Sequence, residues 1–474
     1  MKVLLTSHEL SPFVSSSSLG DVAQALPAAL RRLGVEMTVL TPLTRDVTER
    51  LGPLSRSIVP LRFRLGSRWW TADIFSRTTR DGVRQFFLRQ DDLFGQAQPL
   101  DHLAAAVFSK AAVVLNLQHD IGFEIIHCHN WQGGLIPLFR KSTSSKSTSL
   151  SNIVTVFSIL DSAEPKGAKT EDANNFGITK RFLTDTVTSS EGLTSFLAAG
   201  ATHANQVTTI GPTAARELGG DETGPLARAL AQRNDSVVGI LNGIDDTKWS
   251  PETDTRIAAT FSATSQNGKR RCKAGLQAET GLPIRPRIPV VGYTGAFEER
   301  AGFDLVLDAI PLILETLPCQ FVINGKGCGS SLQKRCVQLG DDFPGRVVVR
   351  LDDQSLNERL VLAGSDMVLF PSRSETGGRD QLRAMRYGAV PVASDVGSLS
   401  DTVDDFDPES NSGTGFVLKR PSTANLKSAL LTAIEVYQNP RIWRRLIATA
   451  MSCDFSWRRT AQQYVEVYKQ ALEK

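Results

Sequence analysis

The chain has 474 residues, more than a single hydrophobic core usually serves, which predicts two domains. Hydrophobic residues make up 41% and charged residues 22%, and 53 Lys and Arg against 50 Asp and Glu leave a net charge of +3, which gives no ground for a nucleic-acid partner. No apolar run has transmembrane length, the stretch 1–7 is too short for a secretory leader, and six scattered cysteines do not form a disulfide framework, so a reduced, cytoplasmic protein without a membrane partner is expected.

Residues 1–7 read as a first strand. Leu19, Val22, Ala23, Leu26, Ala29, Leu30 and Leu33 then recur at helical spacing until Gly34, and 35–40 is a second strand. Strand, helix and strand at this spacing predict a parallel βαβ unit. The stretch 45–105 alternates in short runs and reads as a hairpin-like insertion, followed by a helix over about 102–118. Residues 124–127 form a short buried strand that leads into His127-Cys128-His129-Asn130-Trp131-Gln132. The Ser- and Thr-rich stretch 140–153 reads as an exposed loop. Beyond a polar crossover over 250–268, apolar runs at 288–293, 321–323, 347–349, 367–370 and 390–393 leave room for helices between them. That pattern predicts a parallel sheet covered on both faces.

Sheets of this kind bind ligands where their strands end, so the residues just after each strand carry the functional signal. Gly325-Lys326-Gly327 permits a tight turn near a ligand but matches no full phosphate-binding motif, and an ordinary βα turn explains it as well. Pro371-Ser372-Arg373-Ser374-Glu375-Thr376-Gly377-Gly378 precedes a helix starting near Asp380. A helix start with free N–H groups and a glycine pair suits an anion such as a diphosphate. Glu375 there could accept hydrogen bonds from sugar hydroxyls or stabilise positive charge at an anomeric carbon. His127 and His129 flank Cys128 like a metal pair, yet no further ligands stand at suitable spacing, so no metal is expected. In the last helix, capped by Asp454, the positions Ala461, Tyr464, Val467 and Tyr468 read as packing.

Together these segments resemble the bacterial glycogen and plant starch synthases. The resemblance runs through Glu9…Pro12, Leu19-Gly20-Asp21-Val22, the 127–132 block, Leu241-Asn242-Gly243-Ile244-Asp245, Trp249-Ser250-Pro251 and Gly302-Phe303-Asp304. It continues through the 371–378 loop, Arg386-Tyr387-Gly388-Ala389-Val390-Pro391-Val392 and Asp454-Phe455-Ser456-Trp457. It implies an α/β protein of the GT-B type, with two Rossmann-like domains facing across a cleft. The domains expected are 1–250 on the acceptor side and 251–445 on the nucleotide-sugar side, with 446–474 as a helix packing back on the first. It also implies ADP-glucose and an α-1,4-glucan as partners, retention of anomeric configuration, and neither cofactor nor metal. Glu375 and Asp21 are the implied catalytic residues. His129, Asn130, Trp131, Gly325, Arg300, Gly377 and Gly378 are the implied substrate-binding ones.

The departures gather where that chemistry should be. Lys-x-Gly-Gly-Leu in the family is Ser15-Ser16-Ser17-Ser18-Leu19 here, and His-Asp-Trp is His129-Asn130-Trp131. The histidine of Thr-Ile-His-Asn falls on Asp161, which cannot donate a hydrogen bond when ionised. Lys-Gly-Gly reads Ala198-Ala199-Gly200. The arginine and lysine that neutralise the leaving diphosphate become Ala296 and Ala301, with Arg300 one position away. Two expectations follow: a glucosyltransferase using ADP-glucose, or an impaired homologue that binds glucan or a partner synthase.

Overall fold

The computed structural model describes the chain except for residues 15–17, 52–53, 55, 96–100, 120, 145–149, 151, 221–223, 234–235, 327–330, 352–355, 375–377 and 474. It divides into a unit of 1–242 with 457–474, and a unit of 243–456. These boundaries differ from those expected at 250/251 and 445/446, for reasons of packing. Trp249 belongs to the second unit, with Arg359 and Arg383 stacked 3.8 and 4.3 Å from its ring. Ile447 and Met451, on the helix Pro440–Ser452, are buried in the second unit's core.

The strands of the first unit are β1 Lys2–Thr6, β2 Glu36–Pro42, β3 Arg56–Leu65, β4 Arg68–Thr78, β5 Arg84–Arg89, β6 Ile125–His129, β7 Val154–Ile159, β8 Ala168–Lys169, β9 Leu193–Thr194, β10 Gln206–Thr209 and β11 Val237–Gly239. Nine of them form one sheet in the order β11-β10-β7-β6-β1-β2-β5-β4-β3, while β8 and β9 pair separately. β4 alone runs against the other strands of the large sheet, pairing antiparallel with both β3 and β5, and the β3–β4 edge hairpin is the expected insertion. Alternation along β1 sends Val3 and Leu5 to one face and Leu4 to the other. The first face is covered by helices Ser18–Arg32 and Trp457–Glu473, the second by His102–His119 and Phe196–His203.

The same alternation decides the histidines. The strand predicted over 124–127 continues to His129, so His127 and His129 share a face while Cys128 turns to the other. His127 meets the last helix: its Nδ1 lies 2.8 Å from Tyr468 Oη, and its Nε2 lies 2.6 Å from Ser158 Oγ. Ser158 Oγ is in turn 2.5 Å from Thr208 Oγ1. Tyr464 and Tyr468 are fully buried, the packing role read from the sequence.

The second unit carries β12 Val290–Ala296, β13 Gln320–Lys326, β14 Val347–Arg350, β15 Met367–Phe370, β16 Val390–Ser394 and β17 Phe416–Leu418. All are parallel, in the order β14-β13-β12-β15-β16-β17. That is the doubly wound arrangement, whose winding reverses between β12 and β15.

The buried chain from Tyr468 to Ser158 gives a first prediction. Tyr468→Phe keeps the ring packing but leaves His127 Nδ1 without its partner, at a cost of about 1–3 kcal/mol. Urea unfolding of the full chain should show that loss, whereas Lys469→Ala, on the exposed side of the helix, should leave the midpoint unchanged.

Candidate functional site

In each unit the informative residues stand at the reversal of winding. In the first unit it lies between β1 and β6, which run side by side in register from Val3↔Ile125 to Thr6↔Cys128. Residues 7–9 leave β1 there and residues 130–132 leave β6. His8, distant from the 127–132 block in sequence, therefore comes to lie with its Nε2 3.0 Å from Gln132 Nε2. His8, Glu9, His129 and Gln132 are all buried. His8 was not expected at the site, and Gln132 entered only as the end of the 127–132 block. The signal available was that both follow strands flanking the same reversal.

Burial dominates the electrostatics here. It lowers His129 to about 3, with His8 adding to the effect, and lowers His8 to about 4 against the opposing pull of Glu9. His127 is held well below its usual value, by burial first and His129 second. All three imidazoles are therefore neutral near pH 7. His8 Nδ1, both ring nitrogens of His129 and Gln132 Oε1 have no hydrogen-bond partner among the described residues. Such groups can exchange hydrogen bonds with hydroxyls without repelling a neutral ligand. Among the described residues, no group of three or more His, Cys, Asp or Glu could hold a metal ion.

Asn130 takes φ 51° with ψ −173°, a positive-φ conformation that residues other than glycine rarely adopt and that its surroundings must hold in place. Its Oδ1 accepts hydrogen bonds from the N–H groups of Leu160 (2.8 Å) and Asp161 (3.1 Å). The side chain expected to bind substrate fixes the loop after β7 through this oxygen. Asp161, half-buried, accepts from Ala163 N at 2.9 Å and so closes a local turn. Trp131, also expected at the substrate, is 5% exposed and packs in the core against His102 and Phe196. Ala198 is fully buried, and its N–H caps onto Ser195 Oγ at 3.0 Å. Asp21 is half-buried in the first turn of helix Ser18–Arg32. Ser15 and Ser17 lie outside the described residues, as does the Ser18 side chain.

In the second unit the reversal brings together the loops after β12 and β15. Gly302 permits their approach: it has φ 71°, and a Cβ there would stand 2.0 Å from Pro371 O. Gly325 is explained by packing in the same way, since its Cβ would meet Gly295 O at 2.0 Å. Ala296 is exposed and Ala301 half-buried, and the turn between them exposes Glu298, Glu299 and Arg300. The backbone carbonyl of Arg300 accepts from Arg373 N at 2.9 Å. The Arg373 guanidinium grips Asp304 with two bonds of 2.7 and 2.6 Å and also donates to Glu299 O. That pairing holds the Asp304 carboxyl below its usual range. Arg373 stands in the loop singled out from the sequence but was given no role of its own there. Gly378, buried at φ 59°, precedes helix Asp380–Arg386, and its carbonyl accepts from Gln381 Nε2 at 3.1 Å. Glu375 and Gly377 lie outside the described residues.

Two Rossmann-like units, each with loops gathered at its reversal of winding, match the GT-B fold of the glycosyltransferases. Residues 2–240 match the family described as starch synthase catalytic domain, and 288–435 match glycosyl transferases group 1. The chain is 33% identical over 483 residues to a glycogen synthase of Anaeromyxobacter sp. (strain Fw109-5), covering 99% of each. It is 32% identical over 481 residues to that of Lactococcus lactis subsp. lactis (strain IL1403), covering 99% of this chain and 100% of the other. A solved structure, the catalytic domain of starch synthase IV from Arabidopsis thaliana bound to ADP and acarbose, aligns with a TM-score of 0.87 at 28% identity, covering 100% of this chain and 99% of that one. The chain belongs to the glycogen and starch synthase family.

Two predictions follow from the first unit. Asn130→Ala removes the acceptor for two amides and places alanine at φ 51°, so it should cost about 2–4 kcal/mol in denaturant unfolding. The histidines predict acid sensitivity. Their folded values lie below the ordinary 6.5, so the unfolded chain takes up protons first as pH falls. Stability is present above about pH 6.5 and falls from there towards pH 4. The thermal midpoint should drop between pH 7.5 and 5, and the drop should be smaller in His129→Gln.

Proposed function

We propose that this protein is a glucan-binding member of the synthase family in which glucosyl transfer from ADP-glucose to the non-reducing end of an α-1,4-glucan is strongly impaired. The observation that carries this reading is the charge at the reversal between β12 and β15. A nucleotide-sugar donor leaves negative charge on its diphosphate, and preorganised cations stabilise that charge in the transition state. Here alanines stand at 296 and 301, while Glu298 and Glu299 share the exposed turn with Arg300. Losing one well-placed donor of this kind costs about 3–4 kcal/mol, roughly a hundred- to thousandfold in rate. Asp161, where the resemblance places a histidine, adds a carboxylate that would repel a phosphate.

The glucan half of the reading is supported by the first unit. The neutral, unpartnered polar atoms of His8, His129 and Gln132 suit sugar hydroxyls, and no diphosphate is needed to hold a glucan.

A working synthase is the second reading, and Arg373 favours it. Its guanidinium stands on the neighbouring loop, and release from Asp304 would supply one of the missing charges.

Radiolabelled ADP-glucose and a glycogen primer separate the two. Incorporation should fall at least about a hundredfold below that of a glycogen synthase relative assayed alongside. The paired substitution Ala296→Arg and Ala301→Lys should raise it. Incorporation within tenfold of the relative, abolished in Glu375→Ala and in Arg373→Ala, would favour the working enzyme instead. Co-sedimentation with glycogen should persist, and its absence would remove the glucan-binding half.

A further inference from the structure

The second unit holds a groove that the family chemistry leaves unused. It has a volume of about 1150 Å³ and is lined from 263–287, from Asp366 and from 437–448. Ile284, Pro286 and Arg287 precede β12, and Asp366 immediately precedes β15. The groove therefore opens at the amino edge of the sheet, opposite the carboxyl edge where the β12 and β15 loops lie.

Its charge is one-sided. Lys273 and Asp366 pair at 2.7 Å and neutralise each other. Lys269 is committed to backbone carbonyls, with Tyr387 O at 2.8 Å and Ser365 O at 3.0 Å. Arg270, Arg287, Arg444 and Arg445 remain, all exposed and none with a carboxylate partner among the described residues. Two helices, Asn267–Thr280 and Pro440–Ser452, begin at the groove and add positive potential, against one, Thr423–Tyr437, that ends there. Trp443 lines it, is 5% exposed, and has no hydrogen-bond acceptor for its Nε1 among the described residues. A buried donor of that kind is costly unless something accepts from it.

We propose that this groove binds a small sugar bisphosphate. The charge argument bears on the phosphate number: four guanidiniums without a carboxylate partner, of which Arg444 also donates its Nε to Pro440 O at 3.0 Å, balance two phosphate groups better than one. Guanidinium forks match phosphate oxygens. The sugar body would meet neutral groups in Gln438, the Tyr437 ring and Trp443 Nε1. The site is independent of the donor-handling loops, so it stands whether or not the chain transfers glucose.

Isothermal titration of the full chain with fructose 1,6-bisphosphate tests the proposal. Saturable binding is expected, and saturating ADP should leave it unchanged. The double substitution Arg444→Glu and Arg445→Glu should weaken it at least tenfold. Both positions are exposed on their helix, so folding should persist, as circular dichroism would show. Pyrophosphate, with the charge but no sugar, should bind more weakly. Competition by ADP, equal affinity in the double variant or no saturable binding would each overturn the site. Equal affinity for pyrophosphate would overturn the sugar assignment.

Discussion

The first unit depends on a buried chain of hydrogen bonds that begins on its last helix. Tyr468 meets His127, His127 meets Ser158, and Ser158 meets Thr208, linking helix Trp457–Glu473 to β6, β7 and β10. Each member is buried, so each needs its partner. The chain fixes the rotation of β6 about its own axis. With His127 turned to this face, period-two geometry turns His129 to it as well, and places Asn130 at the strand end where it can hold residues 160–161. The candidate site of the first unit is thus set by a residue more than three hundred positions away in sequence.

The second unit is organised by close backbone approach. Gly302 lets the loop after β12 pass against Pro371, and Arg373 fastens the two loops through Asp304 and Glu299. A frame of this kind can persist when the groups that handle a diphosphate are lost, because glycine packing and an internal ion pair hold it. The fold of this unit therefore does not depend on those groups. A packing residue is held in place by stability, whereas a phosphate-handling cation contributes little to the folded state and can be replaced by alanine at small cost.

Much of the frame was legible in the sequence. Strands 367–370 and 390–393 and the helix over 102–118 follow directly from apolar period and turn residues, because local backbone preference and burial agree there. The second unit's boundaries were less legible. Trp249 and the 446–456 stretch look like parts of other elements until their long-range partners are known, since a boundary is defined by which core a side chain joins. The site residues divide in the same way. The sequence showed that Ala296, Ala301 and Asp161 depart from the family. It could not show that Trp131 is core, that Asn130 serves the backbone, or that Arg373 already has a partner.

By itself, then, the sequence determined the class of the protein: two parallel α/β units, family membership, and the positions, such as 296 and 301, at which it departs from the family. These are properties of residue type and order. Tertiary structure decided which polar groups meet. His8 stands beside Gln132 only because β1 and β6 are neighbours, and the basic groove exists only because two helix starts converge beside Trp443. The physical reason is range. Hydrophobic period and turn chemistry act over a few residues, whereas hydrogen bonds and charge clusters depend on distances that only the folded chain sets.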